Sequence, residues 1–508
     1  MRANLPQRKP RSRAKQGPAF VFVDSTETRT GRPEDEDARA AIRRQAARAG
    51  RKNQRGQAVS RSDTSTPIPS NTVVRRVGSH VYTTADQGVE LAGLIDPFLA
   101  PQPSLAGYEA LRMKYNFDIT YLTTLTDVSL GKLSVSLLQE QPALVGHLLR
   151  QQSSSFLSYL PSRYGSSPCL DAAMDCLSAG AGRMFGYPIR LETLTALYGR
   201  ALHLLGAAID NGSAYLGPDV YCATRLLTLY EVISSEEAAR WIMHSRGGTV
   251  VVTARGAHNH TSPFDWMLLK SQGPSIIVDA IFNDRHTIFE APEWQEVFKL
   301  AAQAESDPDA RLWWELFGPM SFVPGIIVDL RRLCELVRVQ PFSPSEFFAQ
   351  SANVMERAKW VQKAMNDSHM RYQTSPPHPP SLFQLPTAPE SPDRIRLRLF
   401  FFTSLMQMGR ALATISESQP DRAAGELEAY TMAAQALLIP QKTADIDPAM
   451  TFHFQQRTGL QMSVVKTKAL WEAEKEPKSA GELPAFLAIR WLNWHNYVDD
   501  FLNDSLDP

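Results

Sequence analysis

Cysteine is scarce: Cys169, Cys176, Cys222 and Cys334 are the only four in 508 residues. That is too few for a disulfide framework, and none of the intervals is the short spacing with which a loop wraps a tetrahedral zinc. Cys169 and Cys176 are seven apart, on one face of a helix, so the cysteines read as core packing. Long apolar runs are missing as well. Leu399–Met408 is the most apolar stretch, about ten residues against the roughly 20 a membrane-spanning helix needs, and Arg398, Gln407 and Arg410 bound or interrupt it. No apolar segment like that of a signal peptide stands at the N-terminus, so the expected setting is soluble, reducing and intracellular. Phosphate-cradling glycine loops, a serine-hydrolase elbow, His-Glu-x-x-His and a dinucleotide fingerprint are all lacking. No catalytic residue, metal or cofactor is therefore assigned, and an enzyme is not expected.

Acidic residues are sparse at one end. Residues 1–77 hold 18 Lys+Arg and 7 Asp+Glu, a net of +11, whereas the remainder holds 35 and 46, a net of −11. A basic, apolar-poor arm on an acidic body points to nucleic acid, a nuclear-import receptor or another anionic surface. Arg8, Lys9, Arg11, Arg13 and Lys15 cluster around Pro10, which disfavours helix and suits an extended segment in a receptor groove; they are the nuclear-import candidates. Phe20-Val21-Phe22-Val23 is too short to form a sheet alone and reads as a docking strand or small anchor. Glu34–Asp37 precedes an alanine- and arginine-rich run closed by Gly50, an order that suits a helix with acids first and bases later. Arg39, Arg43, Arg44, Arg48, Arg51, Lys52 and Arg55 are candidates for phosphate or DNA contact. The same run also fits a solvated helix that folds on contact, or a second half of an import signal. Residues Gln57–Asn71 are a Ser/Thr/Pro-rich linker. The arm, 1–77, is expected to be largely disordered with one Arg-rich helix.

Residues 81–508 show apolar positions at helical spacing and little strict alternation, so the fold class is all-α, a helical bundle or stacked helix pairs. Leu194, Leu197, Leu202 and Leu205 share a face over Leu191–Asp210, and a second helix follows Pro218 with Tyr221, Leu226, Leu227 and Tyr230 as its apolar side. Thr249–Val252 is the one convincing β-branched run, short enough to lie inside a buried helix. Seven prolines between Thr374 and Arg394 mark an exposed surface loop between two helical halves, with helices resuming at Arg394. His258-Asn259-His260 reads as an exposed turn with no carboxylate motif beside it. Trp313, Trp314, Trp491 and Trp494 read as core or subunit-contact groups.

Several segments together carry a resemblance. They are Tyr221–Glu231, Trp241-Ile242-Met243-His244-Ser245-Arg246-Gly247-Gly248, Phe264-Asp265 and Phe289-Glu290-Ala291-Pro292-Glu293-Trp294, preceded by Asp96-Pro97-Phe98 with Pro101 and by Leu170–Ala181. In this order they resemble the regulatory domain of fungal-specific transcription factors, the zinc-cluster activators and their relatives, in pieces from Asp96 to Trp294 and more loosely beyond. The resemblance implies an architectural role for Trp241, His244, Arg246, Gly247 and Trp294, with Gly247 permitting close helix contact. It departs from the family at the N-terminus: no cysteine precedes Cys169, so the six-cysteine DNA-reading module is lacking. Phe20–Val23 and Arg39–Arg55 look similar to a branch of these proteins without the cluster.

The implied function is a fungal nuclear transcriptional regulator whose helical domain handles regulation and protein contacts. Its partners would be an import receptor and transcriptional proteins, with DNA reached through the arm or a partner, no membrane, and a possible homodimer. The alternative is a non-catalytic helical scaffold in the cytoplasm.

Overall fold

The computed structural model describes residues 103–126, 148–149, 155–210, 217–234, 240–340, 342–447, 450, 458–474 and 476–504. All fall within the unit Thr84–Pro508. Among them the secondary structure is helical, with no β-strand. The principal helices are α1 (Pro103–Tyr115), α2 (Pro168–Met184), α3 (Leu191–Asp210), α4 (Pro218–Ser234), α5 (Arg240–Arg255), α6 (Pro263–Phe282) and α7 (Pro292–Ala304). They continue as α8 (Pro308–Met320), α9 (Val323–Val339), α10 (Pro344–Thr374), α11 (Pro392–Ile415), α12 (Gln419–Thr443), α13 (Thr458–Ala473) and α14 (Leu483–Asp504).

Proline, abundant in this chain, begins helices. Ser262, Asp307, Ser343 and Ser391 each precede a proline, and each side chain accepts a hydrogen bond from a backbone N–H in the first turn. Proline's missing N–H costs nothing at that position and its fixed φ suits the helix. Ser262 with Asp265, and Ser343 with Glu346, complete reciprocal capping boxes.

Neighbouring helices pack in pairs, α2 against α3 and α4, α7 against α8, α10 against α11, and α12 against α11 and α13. A close crossing lies between α11 and α12. A Cβ on Gly409 would stand 2.8 Å from the Gly425 carbonyl oxygen, and one on Gly425 would stand 2.7 Å from the Gly409 carbonyl oxygen. Two backbones therefore touch where no side chain fits. Beside this crossing Arg410 is fully buried, its guanidinium 3.7 Å from the centre of the Trp471 ring and paired to Glu426 at 2.8 Å. It also donates to Thr467 Oγ1 and the Val464 carbonyl, so one side chain ties α11, α12 and α13 together. Burial draws its pKa down to about 10, which leaves it charged at neutral pH.

Trp313, Trp314, Trp491 and Trp494 are all core residues, Trp313 stacking on Phe317 at 4.7 Å. The four cysteines are free and buried. Helix α3 spans Leu191–Asp210, with Leu194 and Leu205 buried and Leu197 and Leu202 packed against the core. Helix α4 differs from its expected single apolar face. Val220–Val232 is buried throughout, Arg225 and Glu231 included, because α2, α3, α5 and α6 all contact it. Thr249–Val252 lies inside α5, with Val251 and Val252 buried and Val250 facing out.

Candidate functional site

Three of the segments singled out in the sequence, through Tyr221, Asp265 and Trp294, meet the turn at 256–260 in one buried node. Helix α5 ends in Arg255, and Gly256, at φ 67°, turns the chain into the short 3-10 turn Ala257–Asn259. The Arg255 guanidinium donates to Asp265 at 2.6 Å and to the Asn259 carbonyl at 2.8 Å, closing the turn onto the first residues of α6. His260 follows, and its expected exposure is wrong: it is 2% exposed, drawn inward by a bond from Nδ1 to the Gly256 carbonyl at 3.0 Å. Its ring lies 5.0 Å from Trp294 and 6.1 Å from Tyr221, and the Trp266 indole donates to its carbonyl. Burial, helped by the nearby Arg255 charge, pulls the His260 pKa down to about 4. The Nδ1–H is spent on the Gly256 carbonyl, and Nε2 is buried without a hydrogen-bond partner among the described residues. Among the described residues no group of three or more His, Cys, Asp or Glu could hold a metal ion.

Trp294 sits in this node, packed edge to face against Phe289. Trp241, His244 and Arg246 fall on α5, but their side chains lie outside the described residues. Gly247 does not make the expected close contact: a Cβ there would meet nothing within 4 Å. The neighbour Gly248 does, since its Cβ would stand 2.8 Å from the Gln272 side chain of α6. The import candidates Arg8, Lys9, Arg11, Arg13 and Lys15, the phosphate candidates Arg39, Arg43, Arg44, Arg48, Arg51, Lys52 and Arg55, and Asp96–Pro101 all lie outside the described residues.

A second constellation escaped the sequence reading. At the start of α11, Arg394, Arg396 and Arg398 are all buried. Arg394 Nε and Arg398 Nη2 both bind Glu390 Oε1, at 2.9 and 2.7 Å, while Arg398 Nε binds Glu390 Oε2 at 2.9 Å. Arg396 pairs with Asp393, which also receives Lys270 of α6 at 3.0 Å. Arg394 further engages Asp309 of α8 and the Tyr372 hydroxyl of α10.

These arginines hold the proline-rich segment 375–391 in place. Arg394 donates to the Pro380 carbonyl at 2.6 Å, Arg398 donates to the Leu382 carbonyl, and the Leu382 N–H donates to His369 Nε2 at 3.1 Å. Burial, with the Arg394 and Arg398 charges behind it, lowers the His369 pKa to about 4, so it stays the neutral acceptor this bond requires. The loop is thus exposed only in part: Leu382 is fully buried, and α11 begins at Pro392 rather than Arg394. Loop and helices enclose a cleft of about 550 Å3 bordered by Asp309, Tyr372, Arg394 and Arg398. Each guanidinium here faces a carboxylate, so the triplet is internal cement and offers no free charge to a phosphate backbone.

A third cluster is half-exposed. His286 Nδ1 stands 3.0 Å from Glu290 and Nε2 stands 3.0 Å from Asp329 of α9. Arg357 of α10 binds the same two carboxylates, at 3.4 and 2.6 Å. With a carboxylate at each ring nitrogen, the imidazolium is the form that satisfies both. Burial opposes that charge, but the Glu290 and Asp329 hydrogen bonds outweigh it, and the His286 pKa is raised.

No protein-family profile, curated protein or solved structure matches the chain.

Proposed function

We propose that this chain is a fungal nuclear transcriptional regulator of the fungal-specific transcription-factor type. Its helical body handles regulation and protein contacts, and its basic arm supplies import and any direct contact with DNA. The carrying observation is the charge division, +11 over residues 1–77 against −11 over the rest. A surface that tracks phosphates must be basic, so the acidic body does not lie on DNA. The arginines of α11 and α12 support this reading. Arg394, Arg396, Arg398, Arg410 and Arg422 are each buried and face a carboxylate inside the body, where their charge is spent on the fold.

The test replaces Arg8, Lys9, Arg11 and Arg13 with alanine in a fluorescently tagged full-length protein. Nuclear accumulation of the wild type and its loss in the variant are the expected results. A wild type confined to the cytoplasm contradicts the proposal and favours the non-catalytic scaffold.

A further inference from the structure

Ser-Pro pairs in this chain are helix starts, with one exception. Among the described residues a serine directly precedes proline at Ser167, Ser262, Ser343, Ser375 and Ser391. Ser167, Ser262, Ser343 and Ser391 are the N-caps of α2, α6, α10 and α11, and the proline that follows each is in the first helical turn. Ser375 stands at the opposite end of a helix. It is the C-cap of α10, with φ −85° and ψ 138°, and its own N–H donates to the Arg371 carbonyl. Its hydroxyl makes no hydrogen bond among the described residues. Thr374, Ser375, Pro376, Pro377 and His378 are all exposed, so a loop rather than a helix runs on from that hydroxyl. Ser343 and Ser391 are exposed too, but each hydroxyl caps its helix and the residues after it are already helical.

We propose that Ser375 is a phosphorylation site for a proline-directed serine/threonine kinase, and that the phosphate loosens the entry to the proline-rich segment. Such a kinase grips its substrate as an extended strand and accepts proline directly after the acceptor, where the ring's missing N–H leaves no donor unpaired. Ser375 meets both conditions, because a residue before proline is held extended. In the transfer, Ser375 Oγ attacks the γ-phosphorus of magnesium ATP, the bond from that phosphorus to its β,γ-bridging oxygen breaks, ADP leaves, and the hydroxyl proton passes to the kinase's catalytic aspartate. The product carries about two negative charges at the end of α10, where the last carbonyls already make the potential negative. Those charges also compete with Glu315 of α8 for Arg371, whose present pair is 3.2 Å long with the arginine 62% exposed. The same last turn carries Tyr372, whose hydroxyl donates to Asp309 of α8 and accepts from Arg394. Loosening that turn acts on the ties that hold residues 375–391. The proposal goes beyond the regulator reading and does not depend on it, since phosphate incorporation and cleavage are measured without DNA or nuclear entry.

The experiment treats the full-length protein with a recombinant mitogen-activated protein kinase and magnesium ATP and maps phosphate by mass spectrometry. Ser375 should be labelled at least about tenfold faster than Ser343 or Ser391, which must first give up a cap and a helical turn. Pro376→Ala keeps the hydroxyl but adds an N–H without a partner in the kinase, and should slow labelling of Ser375 by about an order of magnitude. Chymotrypsin cleavage after Phe383 should run about three- to tenfold faster once Ser375 is phosphorylated, as repulsion of about two charges at a helix end implies, with no change in kinase-treated Ser375→Ala. No phosphate on Ser375, equally fast labelling of Ser343 and Ser391, or undiminished labelling in Pro376→Ala would overturn the site. Cleavage unchanged by phosphate on Ser375 would overturn the loosening.

Discussion

Replacing Arg398 with methionine tests whether buried ion pairs hold the proline-rich segment in place. The side chain is 2% exposed and Glu390 is 11% exposed, so their pairing is shielded from solvent. Methionine keeps most of the volume but removes the partner of Glu390 Oε2 and the donor to the buried Leu382 carbonyl. An unmade hydrogen bond to a buried carbonyl costs about 1–3 kcal/mol, and breaking a buried pair costs about 3–5 kcal/mol. Glu390 keeps Arg394 at 2.9 Å, so the lower part of that range applies, about 3 kcal/mol. If the loss is confined to the loop, its open population rises by roughly two orders of magnitude, at about 1.4 kcal/mol per tenfold. Phe383 is 38% exposed and sits in the loop, which makes chymotrypsin the reporter. Cleavage after Phe383 should accelerate on the order of a hundredfold while far-UV circular dichroism stays helical. Adding Glu390→Gln, which removes a buried charge left with one of its two arginines, should recover part of the loss and give a coupling above about 1 kcal/mol in a double-mutant cycle. Cleavage within twofold of the wild type, or strict additivity, would refute the reasoning.

Two further outcomes follow from other contacts. Gly425→Ala puts a methyl group 2.7 Å from the Gly409 carbonyl oxygen, so α11 and α12 must separate; destabilisation of about 1–3 kcal/mol is expected in urea titration, and an unchanged midpoint would contradict the crossing. pH acts in two opposite senses. His286 has a raised folded pKa, so its contribution is complete below about 6.5 and is lost as pH rises through that raised value. His260 and His369 are lowered to about 4, so their contribution is present above about 6.5 and is lost as pH falls toward 4. A His286→Asn variant should therefore lose less stability than the wild type as pH rises above about 6.5 while keeping the acid-side loss; a wild-type loss above that pH no greater than the variant's, or no acid-side loss in either protein, would count against these assignments.

How much of this was legible in the sequence depends on the range over which each feature acts. Helix α3 could be bounded at Leu191 and Asp210 because its leucine spacing and the following Asn-Gly are local signals. Residue type and spacing placed the cysteines in the core and the tryptophans in the core or a subunit contact; the tryptophans are core residues. His260 misled because Gly256 and the polar residues around it suggest a surface turn, whereas Arg255 and Asp265 fold that turn inward. The arginine triplet was missed for a different reason. Arg394, Arg396 and Arg398 recur every second residue, so their charge looks scattered around a helix, and their partners include Asp309, far away in the chain, and Asp393, which is shared with the equally distant Lys270. The nearby acids Glu390 and Asp393, flanking arginines at the edge of the most apolar stretch, were the available signal. The close contact was assigned to Gly247 on a motif, but which of two adjacent glycines faces the neighbouring helix depends on helix rotation, settled by α6. The arm's import and phosphate candidates rest on the sequence alone, since they lie outside the described residues.

The central claim, a regulator whose contact with DNA depends on its basic arm, is tested most directly by chromatin occupancy of the tagged full-length protein beside a version lacking residues 1–77. The account predicts discrete promoter peaks for the full-length protein and their loss with the arm. Absence of enrichment for a full-length protein that resides in the cytoplasm, or peaks unchanged without the arm, would contradict it.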